Sequence, residues 1–544
     1  MKIAFLFLPL FRLALGELSI AHAAPPNIVF IYADDWGWGD LACHGHAELK
    51  TPHLDRLARE GTDFHQFTVC NPVCSPSRTA IITGQYPARH RIHEAIADHD
   101  SNEARGMPDW LDPNVVTLPR LLHQSGYTTG HFGKWHLGGR NDDSAAPRPA
   151  AYGYDASAVW VGGGADVWAG SSYEKDGGPA GDRGTAHSKI HACLMSSAAT
   201  EHALRFIRQA GDKPFYVNLW LHEAHHLVAA TDEDKLAYPD TPEPRRTYYS
   251  ALTRADALVG KVLALLDERN LARNTIVVFS SDNGPENSHP NPGDKFYYSV
   301  GTTGGLKGRK RSLYLGGVNV PFLVRWPEQV PAGRVDKTSV ISGVDVLPTL
   351  LAAAGVAMPG DYRPDGVDVL SAWRGEKFVR PQPVFWDWRG THASDVTWPE
   401  LGIRDGDWTL LMTRDGGRIE LYDVVNDRGQ ARNVASSHPD RVRKLTEALL
   451  QWRDTLPPLS AADPAKSRRK RPPTAPTKPA PTKPAPDRAR AFARWNKDGD
   501  DALTLEEYRD GLADPTHAEK RFKAFDKNGD GKLTREEFVG STQR

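Results

Sequence analysis

Cysteine is nearly missing from this chain: four of 544 residues, Cys43, Cys70, Cys74 and Cys193. So few thiols exclude a disulfide-built scaffold. If one of them is committed to chemistry, the other three can form at most one pair. An excess of charge of either sign is missing too, with 67 Lys and Arg against 68 Asp and Glu. That balance points away from nucleic acid and from anionic membranes as partners. Beyond the N-terminal segment, no apolar run approaches the roughly 20 residues that cross a bilayer, so no membrane span is expected.

The N-terminal segment itself, residues 1–23, reads as a secretory signal peptide. Lys2 precedes the apolar run IAFLFLPLF, and Ala21-His22-Ala23 supplies a small-residue cleavage site. Pro9, Arg12 and Glu17 interrupt it as a membrane anchor. The mature protein is therefore expected to be soluble and exported, periplasmic or extracellular.

Short apolar runs bounded by turn residues follow: NIVFIYADD, FYVNLWLHEAH, TIVVFSSDNG and PFLVRWP. Runs of this kind suit strands buried on both faces. Helical patterns lie between them, at 53–60, 117–126 and 251–270. The alternation predicts an α/β fold with a mostly parallel sheet. In such sheets ligands gather at the carboxyl ends of strands. Asp34-Asp35, His225 and Asp282-Asn283 all fall just after an apolar run, which points to one shared site.

These patterns divide the chain into a catalytic domain over 24–378, a smaller α+β subdomain over 379–455, a Pro/Lys-rich linker over 456–487, and a terminal module over 488–544. Proline every two or three residues in the linker favours an extended spacer. The terminal module carries an internal repeat, WNKDGDDALTLEEY and FDKNGDGKLTREEF. Both have the spacing of EF-hand calcium loops, so an all-α EF-hand pair is expected. In the second, Asp526, Asn528, Asp530 and Glu537 stand at the side-chain ligand positions, Lys532 offers its carbonyl, and Gly531 occupies the sharp turn. In the first, Asn496, Asp498, Asp500 and Glu507 stand there, but Asp501 replaces the turn glycine. Calcium is expected to bind the second loop well and the first more weakly.

Cys74 opens CSPSR. Pro76 suits the start of a helix, which places the thiol at a helix N-terminus, where backbone N–H groups and the dipole favour an anion. Arg78, one turn on, adds a cation suited to phosphate or sulfate oxygens. From these residues alone two readings stand: a cysteine nucleophile and an anion-binding site.

Cys74-Ser75-Pro76-Ser77-Arg78 matches the C-x-P-S-R signature of the sulfatases. The chain resembles that family from about residue 26 to about residue 435, and most of all its arylsulfatase and N-acetylgalactosamine-6-sulfatase branch. NIVFIYADDWGWGDLACHG, CSPSRTAIITGQYPARH, GKWHLG, SSDNGP and the GG-x-x-x-P segment occur in the family's order. The resemblance implies an alkaline-phosphatase-like fold and hydrolysis of sulfate esters. It also implies that a formylglycine-generating enzyme oxidises Cys74 to formylglycine, whose hydrate, a geminal diol, attacks sulfur. It further implies a calcium ion held by Asp34, Asp35, Asp282 and Asn283, beside the matured Cys74. Lys134 would bind sulfate oxygen, Arg78 would steady the diol, and His136 would help deprotonate it. Of His222, His225 and His226, position favours His225 as general acid for the leaving alcohol. The remaining lysine would be Lys310, with Lys307 as runner-up.

The chain departs from the family pattern at Leu315, Asn319, Thr409 and Gln430, which bears on the substrate edge and on subdomain packing. A sulfated carbohydrate is the expected substrate, and aromatic residues within 151–170 could stack on sugar rings or form an ordinary surface loop. Two rival readings follow: a phosphodiester or phosphonate monoester hydrolase of the same superfamily, and a non-catalytic calcium-dependent binding protein.

Overall fold

The computed structural model describes residues 24–138, 146–160, 168–169, 189–225, 228–286, 300–389, 399–458, 488–512 and 518–539. The expected signal peptide, most of the expected linker, His226 and the side chain of Cys193 lie outside the described residues. The chain divides into two compact units, Met1–Lys466 and Ser467–Arg544.

In the first unit the strands, in chain order, are β1 (Asn27–Ala33), β2 (Thr62–Phe64), β3 (Phe67–Thr68), β4 (Thr128–Lys134), β5 (Ala156–Trp160), β6 (Trp168–Ala169), β7 (Phe215–Trp220), β8 (Thr275–Ser281), β9 (Phe322–Arg325) and β10 (Arg334–Asp336). All but β3 form one sheet in the order β10-β2-β9-β8-β1-β7-β4-β5-β6. Five of its eight pairings are parallel; β9 runs against both β2 and β8, and β6 against β5. PFLVRWP thus forms its expected strand, but its direction could not be read from an apolar run.

The central strand β1 shows why the sheet is buried on both sides. Ile28, Phe30 and Tyr32 enter one apolar cluster, while Val29, Ile31 and Ala33 enter the other. Successive side chains of a strand point to opposite faces, so an unbroken apolar run requires two cores. Helices cover both faces. The principal ones up to β8 are α1 (Pro52–Glu60), α2 (Cys74–Thr83), α3 (His99–Ala104), α4 (Leu118–Gln124), α5 (Lys189–Gln209) and α6 (Arg245–Glu268). The last begins before the apolar repeat that marks it in sequence, because Tyr248 and Tyr249 extend its buried side.

A second sheet has four antiparallel strands, Val384–Asp387, Leu401–Asp405, Trp408–Met412 and Ile419–Asp423. It packs with the helix Pro439–Asp454 around Ile403, Leu410, Leu421 and Leu449. Two of the unusual residues prove to hold this region. Gln430 is buried and its Oε1 accepts the Leu315 N–H at 2.7 Å. Asn319 Nδ2 donates to the Phe67 carbonyl at 2.6 Å. Three aromatics of 151–170 correct an expectation: Tyr152, Tyr154 and Trp160 are core residues, not a surface for sugar, while the side chain of Trp168 lies outside the described residues. Their alternation and flanking turns belong to β5 and the turn before it.

The second unit has its own small core of Phe492, Leu503, Tyr508, Phe522, Leu533 and Phe538. It is not wholly helical, because Ala502–Thr504 and Lys532–Thr534 pair antiparallel. That ladder joins the two repeats through backbone groups, which side-chain spacing does not reveal.

Candidate active site

The site is assembled where β1 and β8 end. These strands are parallel neighbours with Ala33 opposite Ser281, so the next residues of each, Asp34-Asp35 and Asp282-Asn283, leave the sheet side by side. The Asp35 N–H donates to Asp282 Oδ1 at 3.2 Å, and Asn283 Nδ2 donates to Asp35 Oδ1 at 2.7 Å. Cys74 is the first residue of α2 and is buried, with Sγ 3.7 Å from Asp34 Oδ1.

Three cations close on these three acids. Lys134, the last residue of β4, places Nζ 2.5 Å from Asp34 Oδ2. Arg78 places Nη2 2.5 Å from Asp282 Oδ2 and 3.6 Å from Asp34 Oδ1. Its guanidinium lies 4.9 Å from the Trp220 ring and 5.5 Å from the Tyr32 ring, and its Nε and Nη1 have no hydrogen-bond partner. Lys310 Nζ is 2.6 Å from Asp35 Oδ1. Lys307 goes elsewhere, donating to the Tyr422 hydroxyl at 2.9 Å and lying over the Tyr314 ring. The structure thus separates the two lysines that sequence left as candidates.

Crowding of buried charge perturbs every member. Burial works to raise Asp34, but His225, Lys134, Arg78 and Lys310 outweigh it and hold the carboxyl well below the usual range. Burial pushes Asp35 up to about 7; Lys310 opposes this, and Asp34, Glu286 and Asp282 add to it. Burial also pushes the Cys74 thiol up to about 12, against the pull of Lys134 and Lys310. Carboxylates forced together in this way are what a divalent cation relieves.

The residues fit a calcium ion. Carboxylate oxygens of Asp34, Asp35 and Asp282 lie within 4.8 Å of one another. Asn283 Oδ1 is buried with no hydrogen-bond partner. Hard oxygen donors of this kind suit Ca²⁺, with Mg²⁺ the smaller alternative.

Histidines complete the site. A ring nitrogen of His225, Cys74 Sγ and an Asp34 oxygen lie within 4.8 Å of one another. His222 Nδ1 is 4.0 Å from Asp34 Oδ2. His136 sets Nε2 3.1 Å from the Ile96 carbonyl. A carbonyl only accepts, so Nε2 carries the proton and Nδ1, buried without a partner, presents a lone pair. Burial, then Lys134 and Arg78, lower this ring well below the ordinary histidine value and keep it neutral. Asp35, His136, Ala224 and Arg311 all take positive φ without being glycine. Such backbone cost, gathered in the loops of one site, is typical of functional positions.

Several neighbours escaped the sequence. Glu286 lies 3.5 Å from Lys310 Nζ and 2.5 Å from Arg311 Nη1. Its place two residues beyond Gly284 was the available signal. The Ile96 carbonyl could not have been found, since a backbone group carries no letter.

Comparison with known proteins now bears on this geometry. The sulfatase family model matches residues 26–356. The chain belongs to the sulfatase family. It is a sulfuric ester hydrolase. A second model, the N-sulphoglucosamine sulphohydrolase C-terminal region, matches residues 308–455 of this sulfatase. The N-acetylgalactosamine-6-sulfatase of Canis lupus familiaris is 33% identical over 453 residues, covering 78% of this chain and 80% of that protein. Among solved structures, Ps i-CgsB in complex with k-i-k-neocarrahexaose superposes with a TM-score of 0.65 at 26% identity, covering 79% of this chain and 92% of that one. The phosphonate monoester hydrolase of Agrobacterium radiobacter, with a TM-score of 0.55 and 19% identity over 79% of this chain and 95% of its own, shares the fold alone.

In the second unit the repeated loops fold their acidic groups inward. Asp526 Oδ1 and Oδ2 accept the N–H groups of Gly529 and Gly531 at 2.8 and 3.0 Å, and Asn528 Oδ1 accepts the Asp530 N–H at 2.9 Å. Glu537 accepts from Lys527 and Thr534, as Glu507 does from Lys497 and Thr504. Gly531 takes φ 78°, whereas Asp501 at the equivalent position of the first loop is not among the positive-φ residues.

Proposed function

We propose that this sulfatase is an exported enzyme acting on a sulfated carbohydrate, with Cys74 matured to formylglycine by a formylglycine-generating enzyme and calcium bound at Asp34, Asp35, Asp282 and Asn283. The observation that carries the reading is the arrangement around Cys74. Three buried acids and three buried cations meet at the first residue of a helix. The carbohydrate class rests on the relatives, one named an N-acetylgalactosamine-6-sulfatase and one solved with a neocarrahexaose.

When present, formylglycine supplies a nucleophilic hydroxyl and calcium supplies charge for the sulfate oxygens. The chain's own residues do the rest. Lys134 and Lys310 meet sulfate oxygens, and Arg78 fixes the nucleophile through its spare donors. His136 receives a proton at Nδ1 as sulfate is expelled, and His225 delivers one to the departing alcohol. The three acids and three cations cancel, so a bound divalent ion leaves the pocket positive, as an anionic ester requires.

The terminal module is proposed to be an EF-hand pair that holds calcium through Asp526, Asn528, Asp530, Lys532 and Glu537, and less tightly through Asn496, Asp498, Asp500 and Glu507. Calcium outside the cell is abundant enough to keep loops of modest affinity filled, which suits a structural or tethering part rather than a switch.

The deciding experiment is the mass of the proteolytic peptide carrying Cys74, from protein made in its native host. Formylglycine at position 74 is expected. An unmodified thiol in folded, calcium-loaded protein overturns the mechanism. With formylglycine in hand, a panel of sulfated sugars should show turnover, and turnover of phosphonate or phosphodiester substrates alone would overturn the substrate class.

A further inference from the structure

A second gathering of metal-ligating side chains lies apart from the residues just described, where the turn Ala42–His44 meets β2. Cys43 Sγ, a ring nitrogen of His44 and a carboxylate oxygen of Asp63 all lie within 4.8 Å of one another. His44 Nε2 is 3.0 Å from Asp63 Oδ2, and His65 Nε2 is 3.1 Å from the same oxygen. The other carboxylate oxygen, Asp63 Oδ1, is buried with no hydrogen-bond partner, and Asp63 as a whole is 4% exposed.

Counting donors shows what is missing. His44 Nδ1 sits 2.6 Å from the Trp38 carbonyl, which only accepts, so Nδ1 carries a proton. In a neutral ring Nε2 then presents a lone pair, and it faces a carboxylate oxygen that also has only lone pairs to offer. Something positive must stand between them. A second proton on His44 would serve that one contact but leave Asp63 Oδ1 unsatisfied. A metal ion would draw on Cys43 Sγ, a His44 ring nitrogen and an Asp63 carboxylate oxygen together. A ring nitrogen tied to a backbone carbonyl is also the usual state of a histidine that binds metal through its other nitrogen. Trp38 stacks on the His44 ring at 4.2 Å and meets the His65 ring edge-on at 5.3 Å, so both rings are braced. Cys43 is exposed and offers a way in from solvent.

We propose that Cys43, His44 and Asp63 bind a divalent ion of the zinc class, with His65 steadying Asp63 from outside the ligand set. One sulfur, one imidazole nitrogen and one carboxylate make a donor set of borderline softness, which favours zinc over calcium and leaves the fourth tetrahedral position to water. The ion ties the turn that follows Asp34-Asp35 to β2. It is a structural clip, independent of the reaction proposed above.

The test uses the full-length protein in excess calcium, which occupies hard-oxygen sites, with cobalt(II) as the probe. One equivalent of cobalt should give a thiolate-to-metal charge-transfer band that zinc abolishes. Cys43→Ser should remove the band, and Cys70→Ser should keep it. His44→Gln should weaken zinc binding about tenfold or more against a chromophoric chelator. Because Cys43 is exposed, its replacement by serine leaves the fold intact, which circular dichroism checks. Absence of a band with Cys43 in place, or a band that survives Cys43→Ser, overturns the proposal. Both results are read in a Cys74→Ser background, which removes the thiol beside Asp34 and His225, so neither depends on maturation at that position or on any turnover.

Discussion

Two buried histidines of one strand-and-loop segment show how burial serves different ends. His131 and His136 each give a ring nitrogen to a backbone carbonyl, of Lys134 and Ile96 respectively. His131 is packed among Trp135, Tyr154 and Trp220. Burial lowers it to about 3. Its ordinary value is 6.5, so between 6.5 and 3 the unfolded chain binds a proton that the folded chain refuses. Stability from this group is therefore full above the higher value and lost as pH falls, by about 1.4 kcal/mol per pH unit. Urea midpoints between about pH 6 and 4 should fall less steeply in His131→Gln; an unchanged slope refutes the assignment. His136, in contrast, has Nδ1 buried without a partner, which suits the proton transfer proposed for it. His136→Ala should lower kcat on an aryl sulfate by roughly 10²–10⁴ while changing KM much less. A change confined to KM would make it a binding group instead. Motif letters identified Cys74, Arg78, Lys134 and His136 as candidates and offered two lysines near Gly316; only packing separates Lys310 from Lys307.

The elements that carry these residues depend on close backbone approaches. Gly284 ends the Asp282-Asn283 turn, its N–H donates to the Gly317 carbonyl at 2.9 Å, and a Cβ there would stand 1.9 Å from the Gly316 carbonyl oxygen. No side chain can yield to relieve that overlap, because the obstacle is backbone. Gly284→Ala should push apart the loops bearing Asn283 and Lys310. We expect loss of tightly held calcium and at least a hundredfold fall in turnover, measured by metal analysis and aryl sulfate assay. Normal calcium content with normal turnover would refute the tight-packing account. At this scale the alternation of strand and helix was legible, because apolar runs and amphipathic repeats report burial directly. Strand direction was not, since an apolar run reads alike either way, and β9 is antiparallel to β8. Tyr152, Tyr154 and Trp160 misled for a related reason: aromatic letters do not say whether a ring faces solvent or core.

Across the whole molecule, the described residues of the active site all belong to the first compact unit, and the second unit closes a separate apolar cluster. Seven buried side chains among the described residues, around a two-stranded ladder, make a core too small to hold a module of this size comfortably, and such modules commonly lean on bound metal. The two units therefore should differ in what they need. A chain ending at residue 458 should keep kcat/KM on a small aryl sulfate within about twofold and keep its thermal midpoint, since no described core residue of the first unit is removed. Turnover of a polymeric sulfated carbohydrate is the readout to compare beside it. If only polymer turnover falls, the terminal module tethers the enzyme near its substrate. If small-substrate turnover collapses as well, the second unit takes part in the fold of the first, and the division of labour argued here is wrong.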